Sequence, residues 1–427
     1  MRIAFIVDHD IEITNGVSLQ SKQFLTWLTD NDHEIQLIFP STGKKTGYSN
    51  GRNISFHPVP AFSVPSYREY SVPLPPLAVS LWLKEWDIDL IHAETINPTL
   101  LLLGYWIKHR AKVPMFNVIT ANIMYYSHIL FPKDNFVKKA CFKIGRGMMN
   151  RISNRIQGTF ILSEGVRKAL TQDFYSIDQK KVFSFKRPID LHRFGGNSHD
   201  FSMFDRYNVP RGKRLVTLSR LCQTKNVGFL IRAFAKYIYP RDPDFHFFIG
   251  GYGPLDGQLK DLASQLECPN IHFLGKIDLD SVPGFLKEAD YFLYASLSET
   301  FGNVICEAKF SKLPVVALED RAGVSSQIEN YQTGILAGNH EEKVFASKFF
   351  ELHNNPGLRE KIRRNAHRDV LHNHDPQTIY SNLMHVYEKF VENDPSADEE
   401  LMVLFSHDRL SVHRTEASAS AVNLSLR

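Results

Sequence analysis

Two glutamates eight positions apart, Glu299 and Glu307, lie in the run Ser298-Glu-Thr-Phe-Gly-Asn-Val-Ile-Cys-Glu-Ala308. The preceding Tyr291–Tyr294 reads as a short buried strand, and the residues after Gly302 read as a helix with Val304, Ala308 and Ser311 near one face. A strand, a tight turn and a helix in that order are expected to leave the N–H groups of Phe301, Gly302 and Asn303 without intrahelical acceptors at the helix start. Free donors and the helix dipole act together there, so the position attracts anions. One carboxylate would sit in the turn and the other about two turns into the helix, on one side of a cleft. Carboxylates repel phosphate but accept hydrogen bonds from hydroxyl groups. Anion donors beside hydroxyl acceptors suit a nucleotide-sugar.

These side chains need a scaffold, and the hydrophobic pattern supplies one. Ile3–Val7, Glu34–Phe39, Asp89–His92, Met115–Ile119, Thr159–Leu162 and Val182–Phe185 read as strands, alternating with helical stretches such as Val17–Leu28. The alternation resumes after about residue 212 with Leu215–Leu218, Phe247–Ile249, Ile271–Phe273, Tyr291–Tyr294, Val315–Ala317 and Ile335–Leu336. Alternating β and α units predict parallel sheets covered on both faces. With 427 residues the chain exceeds one ordinary core, and Gly195-Gly-Asn-Ser-His199 is the best candidate break. The expected fold class is therefore α/β: two doubly wound, Rossmann-like domains facing across a cleft, with ligands at the strand C-termini. Expected boundaries are 1–195 and 196–374, then an amphipathic helix at 375–392 packing back on the first domain and a poorly ordered tail at 393–427.

Composition narrows the class. Hydrophobic residues make up 43% and the formal charge is +4, which is globular and gives no global case for nucleic acid binding. Cys141, Cys222, Cys268 and Cys306 form no CxxC pair, so a reduced cytoplasmic setting without structural zinc is expected. The sequence enters a strand from Met1 with no leader pattern, and no apolar run approaches the roughly 20 residues of a membrane span. After the glycines of Gly250-Gly-Tyr-Gly253, no acidic residue about 20 positions on follows a strand end in the unit a dinucleotide site requires.

With its surroundings, the carboxylate pair resembles the E-x7-E signature of retaining glycosyltransferases of the GT-B fold, family 4. The resemblance runs along most of the chain. It takes in Asn15-Gly-Val17, Ser163-Glu-Gly-Val166, Pro188-Ile-Asp190 with Phe194, Leu218-Ser-Arg220 with Lys225, Gly250-Gly-Tyr-Gly-Pro254, Phe273-Leu-Gly275 and Thr333-Gly334. It implies that Arg220 and Lys225 hold the donor diphosphate, that Glu307 takes the ribose hydroxyls, and that Glu299 takes a hydroxyl of the transferred sugar. It also implies donor-binding roles for Phe301, Gly302 and Asn303 through backbone amides, for Gly16 at the diphosphate, and for Lys276 and Ile277 near the base. The catalytic set it implies is Glu299, Arg220, Lys225 and Asn122, with no metal and no cofactor, the nucleotide-sugar being a substrate.

The chain departs from that family at several points. Asn122 stands where a histidine is usual, with His128 six residues later. Lys186-Arg187 replaces Asn-Gly, Asn226 and Lys312 stand at usual glycine positions, and Gln327 stands at a common glutamate. The segment Ser66-Tyr-Arg-Glu-Tyr-Ser-Val-Pro-Leu-Pro75 resembles members acting on lipid-linked acceptors. Residues 133–155 hold seven basic side chains and one acidic one, with Phe136, Ala140, Ile144 and Met148 at spacing four. Such a helix suits an anionic membrane surface. The expectation is a cytoplasmic hexosyltransferase, peripheral at the inner face of the membrane, using a UDP- or GDP-sugar and a lipid or glycan hydroxyl acceptor. The alternatives are a non-catalytic donor-binding partner subunit, or an epimerase or phosphorylase of the same fold.

Overall fold

The computed structural model describes residues 1–9, 16–41, 53–64, 67–73, 87–120, 136–195, 204–207 and 209–406. The chain divides into two compact units. The first comprises Met1–Leu162, Val166–Lys186 and the chain from Gln377; the second comprises Ser163–Gly165 and Arg187–Pro376. The crossing into the second unit thus comes at Arg187, ahead of the glycine break at 195.

The first unit is built on β1 (Arg2–Val7), β2 (Glu34–Ser41), β3 (Ile54–Val64), β4 (Tyr67–Pro73), β5 (Leu90–Glu94), β6 (Met115–Val118), β7 (Gly158–Ile161) and β8 (Val182–Ser184). Their order is β4-β3-β2-β1-β5-β6-β7-β8. All pairs are parallel except β3 with β4. Strands such as β1 are buried from Ile3 to Val7 without alternation, the mark of a sheet covered on both faces. The sequence pattern gave no sign of β3, which carries Pro58 and Pro60. Both prolines pair with β2, and pairing with β4 begins only at Ala61, so their missing N–H groups remove no bond on that side.

The helix Pro376–Val391 belongs to the first unit from Gln377 onward. Its stripe of Ile379, Leu383 and Val386 is buried, Tyr380 stacks on Phe24 at 4.6 Å, and the Tyr387 hydroxyl meets Nδ1 of the buried His92 at 2.8 Å. Beyond it, Ala397–Phe405 is helical where an ordered element was not expected. Burial of Leu401 and Phe405, with Phe405 packed edge-on to Phe160 at 5.1 Å, accounts for that order.

The helix Phe136–Ser153 turns part of its spacing-four stripe outward and buries other residues. Met149 and Ile152 enter the first unit's core, whereas Phe136 and Ile144 are 85% and 63% exposed. Lys139, Lys143, Arg146 and Arg151 are exposed on the same helix.

The second unit contains β9 (Arg214–Leu218), β10 (His246–Gly250), β11 (Ile271–Gly275), β12 (Tyr291–Tyr294), β13 (Val315–Leu318) and β14 (Ile335–Ala337). They form an all-parallel sheet in the order β11-β10-β9-β12-β13-β14. Chain progression runs outward in both directions from β9 and β12, so the topological switch point lies between them. In doubly wound sheets the C-terminal edge at that point is where ligands bind.

Candidate functional site at the switch point of the second unit

The loop after β9 carries Arg220 and the short turn Gln223–Lys225, and the loop after β12 carries Glu299. These loops are tied together at the backbone. The Thr224 carbonyl accepts from the Leu297 N–H at 2.8 Å and from the Ser296 hydroxyl at 3.2 Å. The Lys225 ammonium then forms an ion pair with Glu299 Oε1, which also accepts from the Tyr294 hydroxyl at 2.5 Å. Burial pushes the Glu299 carboxyl up, but the Lys225 charge and the hydrogen bonds from Lys225, Tyr294 and Ser296 outweigh it, leaving the group below its ordinary value. Burial and the adjacent Glu299 charge push the Tyr294 phenol well above its own. Tyr294 therefore stays a neutral donor and Glu299 an anion.

A third loop, after β13, holds this turn from the other side. Asp320 accepts from the backbone N–H of Glu299 at 3.1 Å, and from those of Ala322, Val324 and Ser325 at 2.8, 3.2 and 3.1 Å. The Gly323 N–H returns a bond of 2.9 Å to the Glu299 carbonyl. A Cβ on Gly323 would lie 2.7 Å from the Phe301 nitrogen and 2.8 Å from the Glu299 carbonyl oxygen, so only glycine fits. Tyr294, Asp320 and Gly323 were not singled out from sequence. Their signal is positional, each lying at or just past a strand C-terminus beside the switch point.

Gly302, at φ +88°, turns the chain into the helix Asn303–Phe310. Phe301 is buried, edge-on to His374 at 5.6 Å. Glu307 lies about one turn into this helix, not two, because the helix starts at Asn303. Its partner is Arg193, which also escaped the sequence reading: Nη2 of Arg193 donates to Glu307 Oε1. Burial raises the Glu307 carboxyl above its ordinary value, with Arg193 opposing that shift and Asp190 adding to it.

The structure thus brings together Lys225 and Glu299 directly, with Arg220 half-buried on the same loop as Lys225. Ile277 is half-buried after β11, its Cδ1 only 2.6 Å from where a Cβ of Gly250 would be, and Lys276 beside it is exposed. Gly16 is exposed at the start of the helix Gly16–Asp30 in the first unit. Asn122 and His128 lie outside the described residues. Two of the glycine replacements keep glycine's backbone: Asn226 has φ +51° and Lys312 φ +57°. Arg187 is buried, its carbonyl accepting from His374 Nδ1 at 2.7 Å. Among the described residues, no group of three His, Cys, Asp or Glu could hold a metal ion.

Comparison with known proteins agrees with this fold. Residues 14–193 match the family described as Glycosyltransferase Family 4, and residues 202–369 match Glycosyl transferases group 1. The alpha-monoglucosyldiacylglycerol synthase of Streptococcus pneumoniae is 27% identical over 329 residues, covering 74% of this chain and 71% of that protein. The poly(ribitol-phosphate) alpha-N-acetylglucosaminyltransferase of Staphylococcus aureus is 25% identical over 64% of this chain and 52% of its own. Among solved structures, Anabaena HepE in complex with UDP superposes with a TM-score of 0.70 at 18% identity, covering 91% of this chain and all of that one. This chain belongs to the family 4 glycosyltransferases of the GT-B fold.

Proposed function

We propose that this glycosyltransferase moves a hexosyl unit from a UDP- or GDP-sugar to a hydroxyl group, with retention of anomeric configuration. The carrying observation is the Lys225–Glu299 pair at the β9/β12 switch point, which sets a cation and a hydroxyl-accepting anion side by side at the sheet edge. Arg220 and Lys225 would neutralise charge building on the leaving phosphate, a planar fork and a mobile point charge respectively. Glu299 would accept from a sugar hydroxyl and Glu307 from the ribose, while Phe301, Gly302 and Asn303 would present backbone donors. Binding of UDP by the Anabaena protein supports a uridine or related donor. No protein side chain is assigned as general base, since in a same-face reaction the leaving phosphate itself can accept the acceptor's proton.

The acceptor proposed is a lipid or a cell-envelope glycan. The named activities of the Streptococcus and Staphylococcus relatives support it, and so does the outer face of the helix Phe136–Ser153. That face pairs exposed Phe136 and Ile144 with exposed cations, beside an open depression of about 500 Å³ lined by Gly147, Asn150, Arg151, Asn154 and Arg155. Apolar side chains among cations fit an anionic bilayer surface, where each well-placed cation contributes roughly 1 kcal/mol. Among the described residues no helix is long and apolar enough to cross a membrane, so this contact would be peripheral. Flotation with vesicles of anionic and of zwitterionic lipid tests it; equal recovery on both would remove the membrane from the proposal.

The reaction is tested by following nucleoside diphosphate release from UDP- and GDP-sugars, with and without diacylglycerol-based and glycan acceptors. Release that depends on acceptor, with an α-linked product by NMR from an α-linked donor, is the expected result. Release without acceptor would indicate an epimerase or hydrolase, phosphate-dependent turnover a phosphorylase, and binding without turnover a partner subunit.

A further inference from the structure

Glu307 enters the proposed donor site already committed to a cation that the donor does not supply. Arg193 reaches it from the segment just after the crossing into the second unit, and several contacts fix that segment in place. The Ile189 N–H donates to the His374 carbonyl at 2.9 Å, and Asp190 Oδ1 accepts from the Arg193 N–H at 3.1 Å. Phe194 packs edge-on to Phe310 at 5.8 Å, the last residue of the helix that carries Glu307. The Arg193 guanidinium lies 5.0 Å from the Phe194 ring centre. Among the described residues its buried Nε has no hydrogen-bond partner, and the bond from Nη2 to Glu307 anchors the group. Side-chain exposure is 13% for Arg193 and 16% for Glu307, so water does little to screen either charge.

We propose that Arg193 is the positioning residue of the ribose-binding carboxylate, holding Glu307 as an ion pair with one oxygen engaged and the other turned to the ligand. The inference rests on the donor reading given above. A vicinal diol binds a carboxylate best when the carboxylate is ionised and cannot rotate, and a guanidinium on one oxygen secures both conditions. Among the described residues, Arg193 is the cation acting on Glu307. Lys309, on the same helix, is fully buried and committed to Asp369 and the Gln327 carbonyl. Asp190 is a like charge that works against ionisation, His374 is engaged with the Arg187 carbonyl, and the neighbouring Cys306 thiol is pushed far up by burial. Take Arg193 away and burial, with Asp190 adding to it, acts on Glu307 unopposed, in the direction of the protonated acid, which donates a hydrogen bond where the diol needs an acceptor.

The test needs one readout with ligand and one without. In protein labelled with ¹³C at the Glu carboxyl carbon, the Glu307 resonance is assigned by its loss in Glu307→Gln and titrated in wild type and in Arg193→Gln. Arg193→Gln should move its midpoint upward, and Arg193→Lys should restore most of the shift. Calorimetry then compares UDP and GDP with their 2′,3′-dideoxy analogues. Arg193→Gln should weaken the ribonucleotide at least tenfold at pH 6.5, less at pH 8.5, and leave the dideoxy analogue nearly unchanged; in a Glu307→Gln background it should change nothing further. An unmoved Glu307 titration, or equal losses for both sugars at every pH, would overturn the assignment. If neither nucleotide binds wild type, the donor reading fails, while the titration still decides whether Arg193 governs the carboxylate. Thermal melts of the Arg193→Lys variant and the double variant separate these effects from misfolding.

Discussion

Replacing Lys225 with methionine removes the cation from Glu299 while keeping most of the side chain's apolar bulk. The pair is sheltered but not sealed, with side-chain exposures of 22% for Lys225 and 11% for Glu299. Removing one partner of a fully buried pair costs about 3–5 kcal/mol, and an exposed pair is worth about 0.2–1 kcal/mol. An intermediate loss of about 2–3 kcal/mol lowers the melting temperature of the second unit by about 4–12 °C. The sign of its pH dependence is fixed by the groups around Glu299. In the wild type the carboxyl lies below its ordinary value, so its contribution is present above the unfolded-state pKa and is lost as pH falls through the folded one. Without Lys225, only the hydrogen bonds from Tyr294 and Ser296 oppose burial, so the carboxyl moves upward from its wild-type position; the ionised group is then less stabilised at neutral pH, and the difference closes on acidification. Scanning calorimetry at pH 4.5, 5.5, 6.5 and 7.5 should show the gap between wild type and Lys225→Met largest at pH 7.5 and narrowing toward pH 4.5. Lys225→Arg should sit close to wild type. A gap that stays constant with pH would refute the electrostatic reasoning, and no gap would show that the pair does not hold the loops.

Other substitutions probe the same loops. Lys312→Gly should raise stability by about 0.5–1 kcal/mol in denaturant titrations, because a left-handed lysine costs about 1–2 kcal/mol and glycine's extra unfolded-state entropy returns part of it. Asn226→Gly should change little, since asparagine visits that conformation readily. Gly323→Ala forces a Cβ into the backbone of the Glu299–Phe301 turn; overpacking of that kind costs about 1–3 kcal/mol, and nucleoside diphosphate affinity by calorimetry should fall at least tenfold. Asp320→Asn leaves one oxygen where two now accept four backbone donors, and should lower stability by about 1–3 kcal/mol and loosen amide exchange at 299 and 322–325.

The parts of this molecule that sequence disclosed are those where local pattern and tertiary role coincide. Fully buried parallel strands must be apolar along their whole length, so Ile3–Val7 and Tyr291–Tyr294 were readable without a partner in view. The turn after β12 was readable because Gly302 and both glutamates lie within one short run. What stayed hidden depends on distant partners. Arg193 meets Glu307 across 114 positions and Lys225 meets Glu299 across 74, and nothing local to either cation announces its mate. Prolines concealed β3 because a strand's tolerance for them depends on which neighbour it pairs with and where. The helix Ala397–Phe405 owes its order to aromatic contact with Phe160, not to its own acidic first turn. On Phe136–Ser153 periodicity disclosed the stripe whose Phe136 and Ile144 are exposed, but not Met149 and Ile152, which enter the core.

The central claim is that three loops at the C-terminal edge of the second sheet, around the β9/β12 switch point, grip a nucleoside diphosphate. Amide hydrogen exchange followed by mass spectrometry, with and without saturating UDP or GDP, measures this directly. Slower exchange concentrated in 219–225, 299–307 and 320–325 is the predicted result. Binding that protects other segments of the chain and leaves these three unchanged would contradict it.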